Sequence, residues 1–91
     1  MGLRPVVIIS GNAMNDNLGI SIICPLSSKV KDYAGCIVLN PDTENGLDQK
    51  SEIITFQIRT ISHQRLKTKL GEVATQQLEE LKNGLNEILT Y

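Results

Sequence analysis

Arg4 stands directly ahead of an apolar run over residues 5–9. Ser27 and Ser28 stand directly behind the run 20–26, and Arg59 and Thr60 late in the run 51–62. A guanidinium forks paired donors onto a phosphate or carboxylate and keeps its charge at any working pH. A hydroxyl beside it adds one more donor. If the ends of these runs meet at one edge of a sheet, the result is a positively charged cleft suited to a phosphodiester. If they do not, Asp32, Asp48 and Glu52 offer ion-pair partners for Arg4 and Arg59 within the same chain. The parity of the antiparallel connections decides which ends meet, and both readings stay open on the residues alone.

Other chemistry is excluded sooner. The chain has no Gly-x-Ser-x-Gly turn and no phosphate-binding glycine loop. His63, Cys24 and Cys36 are too few and too scattered for a zinc site. Cys24 paired with His63 would make a thiolate, but a thiol within Ser-Ile-Ile-Cys-Pro-Leu reads as packed and inert. The acids gather in turn segments and on the C-terminal helix, so no carboxylate pair stands out.

The net charge of −1 hides segregated blocks. Residues 56–71 hold Arg59, Arg65, Lys67 and Lys69 with no acid, whereas 32–55 hold Asp32, Asp42, Glu44, Asp48 and Glu52 against Lys50. Such blocks can build a local anion-binding face that the total does not reveal. The 91 residues suffice for one small domain, 1–91, burying about 60–65% of its unfolded surface. Phe56, Tyr33 and Tyr91 are the only aromatics, so Ile and Leu must fill the core. Cys24 and Cys36 read as reduced, buried thiols. The first apolar run is too short for a signal peptide and is broken by Pro5. No segment is long enough to span a membrane, and position 6 lacks the hydroxyl of a myristoylation site. The expected setting is the cytoplasm.

The elements that would position these groups read as short strands followed by one helix. Residues 5–10 and 20–26 are buried strands, joined over 11–19 by a Gly- and Asn-rich turn or short irregular helix. A polar loop over 27–35 leads to a third strand at 36–39, and Asn-Pro and Asn-Gly mark 40–50 as an exposed hairpin loop. A fourth strand covers 51–62 and bends near Gln57. Residues 63–74 hold a helical turn and a short strand ending at Val73. From Thr75, the expected N-cap, Leu78, Leu81, Leu85, Ile88 and Leu89 recur at helical spacing along one face. Gly84 costs that helix about 1 kcal/mol relative to Ala. The order implies a mainly β domain, a small and strongly bent antiparallel sheet or partial barrel with the terminal helix closing one face.

Gly-Leu-Arg-Pro-Val-Val-Ile-Ile-Ser, Cys-Pro-Leu-Ser-Ser-Lys-Val-Lys, Ile-Thr-Phe-Gln-Ile-Arg-Thr-Ile-Ser, Arg-Leu-Lys-Thr-Lys-Leu-Gly-Glu-Val and the closing helix follow one another in this chain. In that order they resemble the MazF/PemK/Kid toxins of bacterial toxin–antitoxin pairs, over almost the whole length. The resemblance implies an SH3-like small β-barrel with a C-terminal helix, usually as a homodimer. It further implies a metal-independent endoribonuclease without cofactor, which cuts single-stranded RNA at specific sequences and is bound by a cognate antitoxin. By position, Arg4 matches the family's catalytic arginine and Ser27 its catalytic threonine or serine. Gln57 and Arg59 fall in the segment lining the RNA groove, with Ser28, Lys29 and Thr60 expected beside them on the RNA-binding surface.

The implied chemistry is coherent. RNA carries its own nucleophile, the 2′-hydroxyl, which attacks the adjacent phosphate to give a cyclic phosphate and a 5′-hydroxyl. Arg4 suits the charge of the pentacovalent dianion, and Ser27 can donate to a non-bridging oxygen. The chain departs from the family pattern in two respects. Phe56 stands where several members carry an acid ahead of Gln-x-Arg, which removes one candidate base. The family's first strand and most of the loop before Gly-x-Arg-Pro have no counterpart. The run 5–10 is therefore expected to lack one neighbour, the barrel to be incomplete at its N-terminus, and the reading frame to extend upstream. The alternative reading is a non-catalytic binding module on the same fold, antitoxin-binding or gyrase-poison-like, or an inactive truncated copy.

Overall fold

The computed structural model describes residues 4–89, the side chains of residues 13 and 14 apart, so Gly2 and Leu3 of the Gly-Leu-Arg-Pro motif and Tyr91 lie outside it. The chain runs β1 (Val6–Ile8), α1 (Asn12–Leu18), β2 (Ile20–Ser27), β3 (Ile37–Leu39) and β4 (Ser51–Ile53). A 3₁₀ turn (Thr55–Gln57), β5 (Arg59–Ser62), a second 3₁₀ turn (His63–Arg65) and α2 (Thr75–Leu89) complete it.

β2 organises the sheet, because β1, β4 and β5 all pair with it and β3 is reached through β4. Its β-branched isoleucines suit a pleated surface covered on both sides. Every pairing is antiparallel. On one edge Val6 opposes Pro25 and Ile8 opposes Ile23, and Leu26 N donates to Pro5 O (3.1 Å) one step further along. On the other edge Leu26 and Ser27 oppose Ile53 and Glu52, while Ile20 to Ile23 oppose β5. The two registers on that edge are offset by three residues, which the three-residue turn Thr55–Gln57 takes up. The strand expected over 51–62 is thus two strands, broken where the bend near Gln57 was placed. Thr55, fully buried, fastens the break by donating its hydroxyl to Gly35 O (3.0 Å).

The core gathers Val7, Cys24, Leu26, Leu39, Ile53 and Leu81, with Leu78 and Val73 packed against it. Leu78 and Leu81 therefore face inward as their spacing predicts. Gly84 sits where α2 crosses the turn at Gly35, and a Cβ there would lie 2.1 Å from Gly35 O. The glycine that weakens the helix is what lets it approach. Among the described residues β1 pairs only with β2, so the sheet does not close and its open edge faces a cleft.

Several sequence expectations change. Residues 12–18 form a regular α-helix ended by Gly19 in the left-handed region (φ 66°). The loop 40–50 is exposed as expected except at Asn45, which is buried with its Oδ1 accepting from Asp42 N (3.1 Å) and Leu47 N (3.0 Å), and at half-buried Leu47. The strand expected to end at Val73 is absent. Residues 66–74 touch the 40–50 loop through the single bond Glu72 N to Glu44 O (2.7 Å) and a close approach at Gly71, without a ladder. Thr75 is the first helical residue rather than the N-cap, since Ala74 O takes the first helical bond, from Leu78 N (3.0 Å).

Candidate nucleic-acid interface

The β1–β2 register carries the start of β1 beside the end of β2. Arg4 lies two positions before Val6, and Ser27 two positions beyond the Pro25 that Val6 opposes. Arg4 is exposed and Ser27 half-buried. The Ser27 hydroxyl accepts from Lys29 N (3.1 Å), a local turn that holds Ser28 and Lys29 out into solvent.

Directly across from Ser27 on its other edge is Glu52, which is fully buried. One carboxylate oxygen accepts from Lys31 N (2.8 Å) and the other from Tyr33 N (2.9 Å). Between those two amides Asp32 adopts a left-handed conformation (φ 55°) that turns both N–H groups the same way. The polar loop over 27–35 is thereby latched to the sheet. Glu52 is engaged by backbone and is no ion-pair partner of Arg4 or Arg59. Among the described residues the ion pair is Lys69–Glu72 (3.4 Å), exposed on both sides and worth little. The ion-pair reading of the two arginines has no support.

A cleft of about 1110 Å³ follows the open side of β1. Its floor is apolar, with Val7, Ile23, Leu26 and Leu39, and its rim carries Arg4, Arg59, Arg65, Lys67 and Lys69. Glu72 is the one acid lining it. The block 56–71, uniformly positive in sequence, thus becomes one wall. Thr60 lines the same cleft, whereas Ser27, Ser28, Lys29 and Gln57 do not. The site residues divide into two groups: Arg4, Arg59 and Thr60 along the cleft, and Ser27, Ser28 and Lys29 at the end of β2. Gln57 closes the 3₁₀ turn, exposed. Arg4 belongs to the first group and adjoins the second.

The far end of β2 holds a polar cluster that sequence spacing conceals. Ser10 and Ser21 hydroxyls both donate to Asn15 Oδ1, the latter at 2.9 Å, and Asn15 Nδ2 donates back to Ser10 O (3.2 Å). With its proton committed to Asn15, Ser21 Oγ accepts from His63 Nε2–H (2.8 Å). Ser21 and His63 are 42 residues apart in sequence. His63 thus meets Ser21, and Cys24 is packed as its sequence setting predicts. Cys24 is fully buried, and burial, with Cys36 nearby adding to it, pushes its thiol up to about 11. It is inert packing. Cys36 is only partly buried, its sulfur 3.4 Å from Thr55 Oγ1. From Gly19, which accepts from His63 N, to Ser27 is about 26 Å of extended strand. The cluster braces α1 and lies beyond reach of a phosphate held at Arg4 and Ser27.

A small, bent, unclosed antiparallel sheet with one terminal helix thus flanks a cleft whose rim is cationic. Comparison with known proteins gives the class: residues 1–89 match the family described as PemK-like, MazF-like toxin of type II toxin–antitoxin system, and this chain belongs to it. The Endoribonuclease MazF of Staphylococcus saprophyticus is 30% identical over 86 residues, which span 93% of this chain and 72% of that protein. Among solved structures, the Mycobacterium tuberculosis toxin MazF-mt6 superposes with a TM-score of 0.85 at 22% identity, covering 94% of this chain and 85% of that one. An endoribonuclease in complex with its cognate antitoxin from a mycobacterial species gives a TM-score of 0.83 at 20% identity, covering 97% and 82%.

Proposed function

We propose that this chain is the toxin of a toxin–antitoxin pair and acts as an endoribonuclease on single-stranded RNA. The observation that carries this reading is the spread of cationic and hydroxyl groups along one open surface. Arg59 opposes Ile23, four positions short of Ser27, which is roughly 13 Å along the strand. A single phosphate cannot meet both ends, whereas an extended polyanion can. The family relationship and the endoribonuclease relative agree with it.

Arg4 and Ser27 act at the scissile phosphate. The ribose 2′-oxygen forms a bond to phosphorus as its proton leaves, and the bond from phosphorus to the 5′-oxygen breaks as that oxygen gains a proton. The products are a cyclic phosphate and a 5′-hydroxyl. No metal is needed for this route, because the nucleophile belongs to the substrate. Arg4 neutralises the charge that builds on the non-bridging oxygens, and Ser27 donates one hydrogen bond to them. Ser28, Lys29, Gln57, Arg59 and Thr60 hold the flanking nucleotides. The chain works in the cytoplasm as a homodimer, and an acidic, extended antitoxin segment competes with RNA for the cationic rim.

The test is incubation of a long unstructured RNA with the protein in EDTA. Cleavage leaving 5′-hydroxyl ends, and its loss in Arg4→Ala, is the expected result. Uncut RNA at micromolar enzyme, or undiminished cutting by Arg4→Ala, overturns the reading.

A further inference from the structure

The side of the sheet near Ser27 carries two aromatic rings that the reaction above does not use. Tyr33 is 45% exposed and Phe56 50% exposed, yet they meet edge to face, with centroids 5.2 Å apart and planes at 84°. Exposed rings on a small domain are normally loose. These are tethered from beneath by two fully buried polar groups. Glu52, opposite Ser27, fixes the Tyr33 backbone, and Thr55, next to Phe56, fixes the turn to Gly35 O. The rings are therefore preorganised at exposed positions.

We infer that Tyr33 and Phe56 form a stacking platform for an unpaired base of the RNA next to the phosphate held at Arg4 and Ser27. This rests on the nuclease reading and deepens it. Three observations favour a base over a protein surface. Lys29 and Lys31 on the same latched loop, and Gln57 beside Phe56, are all exposed and outnumber Asp32, the one acid in the loop, while α2 sets Glu80 and Glu87 beside the loop's far end at Gly35 and Cys36. This is the mixture that holds single-stranded nucleic acid: π-faces for bases, charge for phosphates. The ring edge of one partner props the other so that a face stays open, which suits a stacked base. The area is also too small for a second copy of the chain. Two half-exposed aromatics offer about 200 Å², against roughly 800 Å² buried by each partner of a standard protein interface.

The test uses Phe56→Leu and Tyr33→Leu, which keep apolar bulk while removing the ring, with Tyr33→Phe as the conservative control. Each is first shown to melt as the wild type does. KM for an unstructured RNA should rise by about 5- to 150-fold in each Leu variant, the measured range for one stacked base, with kcat within about twofold, as expected for a group acting in binding alone. Tyr33→Phe should restore KM. A second measurement needs no cleavage. In Phe56→Trp, indole fluorescence should be quenched by a 2′-O-methyl oligonucleotide and not by an abasic strand of equal length. Unchanged KM in both Leu variants, or equal quenching by the abasic strand, overturns the platform and leaves the nuclease reading standing. Indole shielding that grows with protein concentration without oligonucleotide assigns the rings to self-association and also overturns it. A wild type that neither binds nor cuts RNA removes both readings.

Discussion

Replacing Glu52 by alanine should loosen the loop 28–35 and destabilise the whole domain by an amount that can be worked out. The carboxylate is fully buried and accepts two backbone N–H bonds at 2.8 and 2.9 Å. Hydrogen bonds to a charged group are worth roughly 1.5–3 kcal/mol each. Against that gross gain stands the desolvation of the carboxylate, several kcal/mol in a real protein. Lys31 and Tyr33 are exposed residues, so water can partly satisfy their amides once the loop lifts. A net loss of about 2–4 kcal/mol remains, a large share of a small domain's stability. At about 4–8 °C per kcal/mol for a chain of this size, the melting temperature should fall by about 8–32 °C. Glu52→Gln should lose nearly as much, because its amide oxygen serves one N–H while its NH₂ group faces the other. Thermal unfolding followed by circular dichroism measures the loss, and native-state hydrogen exchange locates it, with the amides of residues 31 and 33 losing protection first. A melting temperature within about 2 °C of wild type, below the shift that even 1 kcal/mol produces, would refute the latch. So would fast exchange at those amides in the wild type.

Other outcomes follow from the same geometry. Arg4→Lys keeps the charge but loses the fork, and Ser27→Ala removes one donor. Each should cut RNA cleavage strongly, Ser27→Ala on the order of 10²- to 10³-fold, as measured by initial rates. The Cys24 thiol is held neutral up to about 11 in the folded chain, against 9.0 for the unfolded one. As pH rises from 9 to 11 the unfolded state ionises first, so wild-type stability should fall relative to Cys24→Ala by up to about 3 kcal/mol. A difference that stays flat across that window would show that the thiol is not protected. Gly84→Ala gains about 1 kcal/mol of helix propensity but drives a methyl against Gly35 O. Overpacking costs about 1–3 kcal/mol, so urea denaturation should show a net loss of up to about 2 kcal/mol, and a clear gain would mean that the helix does not pass that close.

Much of this molecule was legible in one dimension, because period and turn chemistry are local. The runs at 5–10 and 20–26, the break near Gln57 and the inward face of Leu78 and Leu81 follow from such signals, whereas the open edge beside the first strand was expected from the family resemblance. What escaped reading depends on contacts between distant segments. Glu52 looked like one acid in an acidic block, and nothing nearby says that its partners are two amides of a loop some twenty positions earlier. Ser21 and His63 were each unremarkable until the β2–β5 register put them together. The strand expected before Val73 is missing because residues 66–74 make one backbone bond to the 40–50 loop, Glu72 N to Glu44 O, and no continuous ladder. Arg4 and Ser27 were picked out by position at strand ends and by family likeness. The β1–β2 register makes them neighbours, and the rest of their assignment is a matter for the cleavage assay.

The turn Thr55–Gln57 sets a phase. Because it takes up the offset between two registers on the same edge of β2, its length in residues fixes which face each β5 side chain presents. A one-residue deletion there would leave β4 in place and rotate β5 by half a pleat, exchanging the faces of Arg59 and Thr60. A two-residue change would restore the faces but slide the cationic wall by about 6–7 Å along β2. Point substitutions in the turn therefore tune contacts, whereas insertions and deletions are quantised. Odd ones break the site, and even ones relocate it against a substrate held at Arg4 and Ser27. Divergence among relatives of this chain should respect that parity.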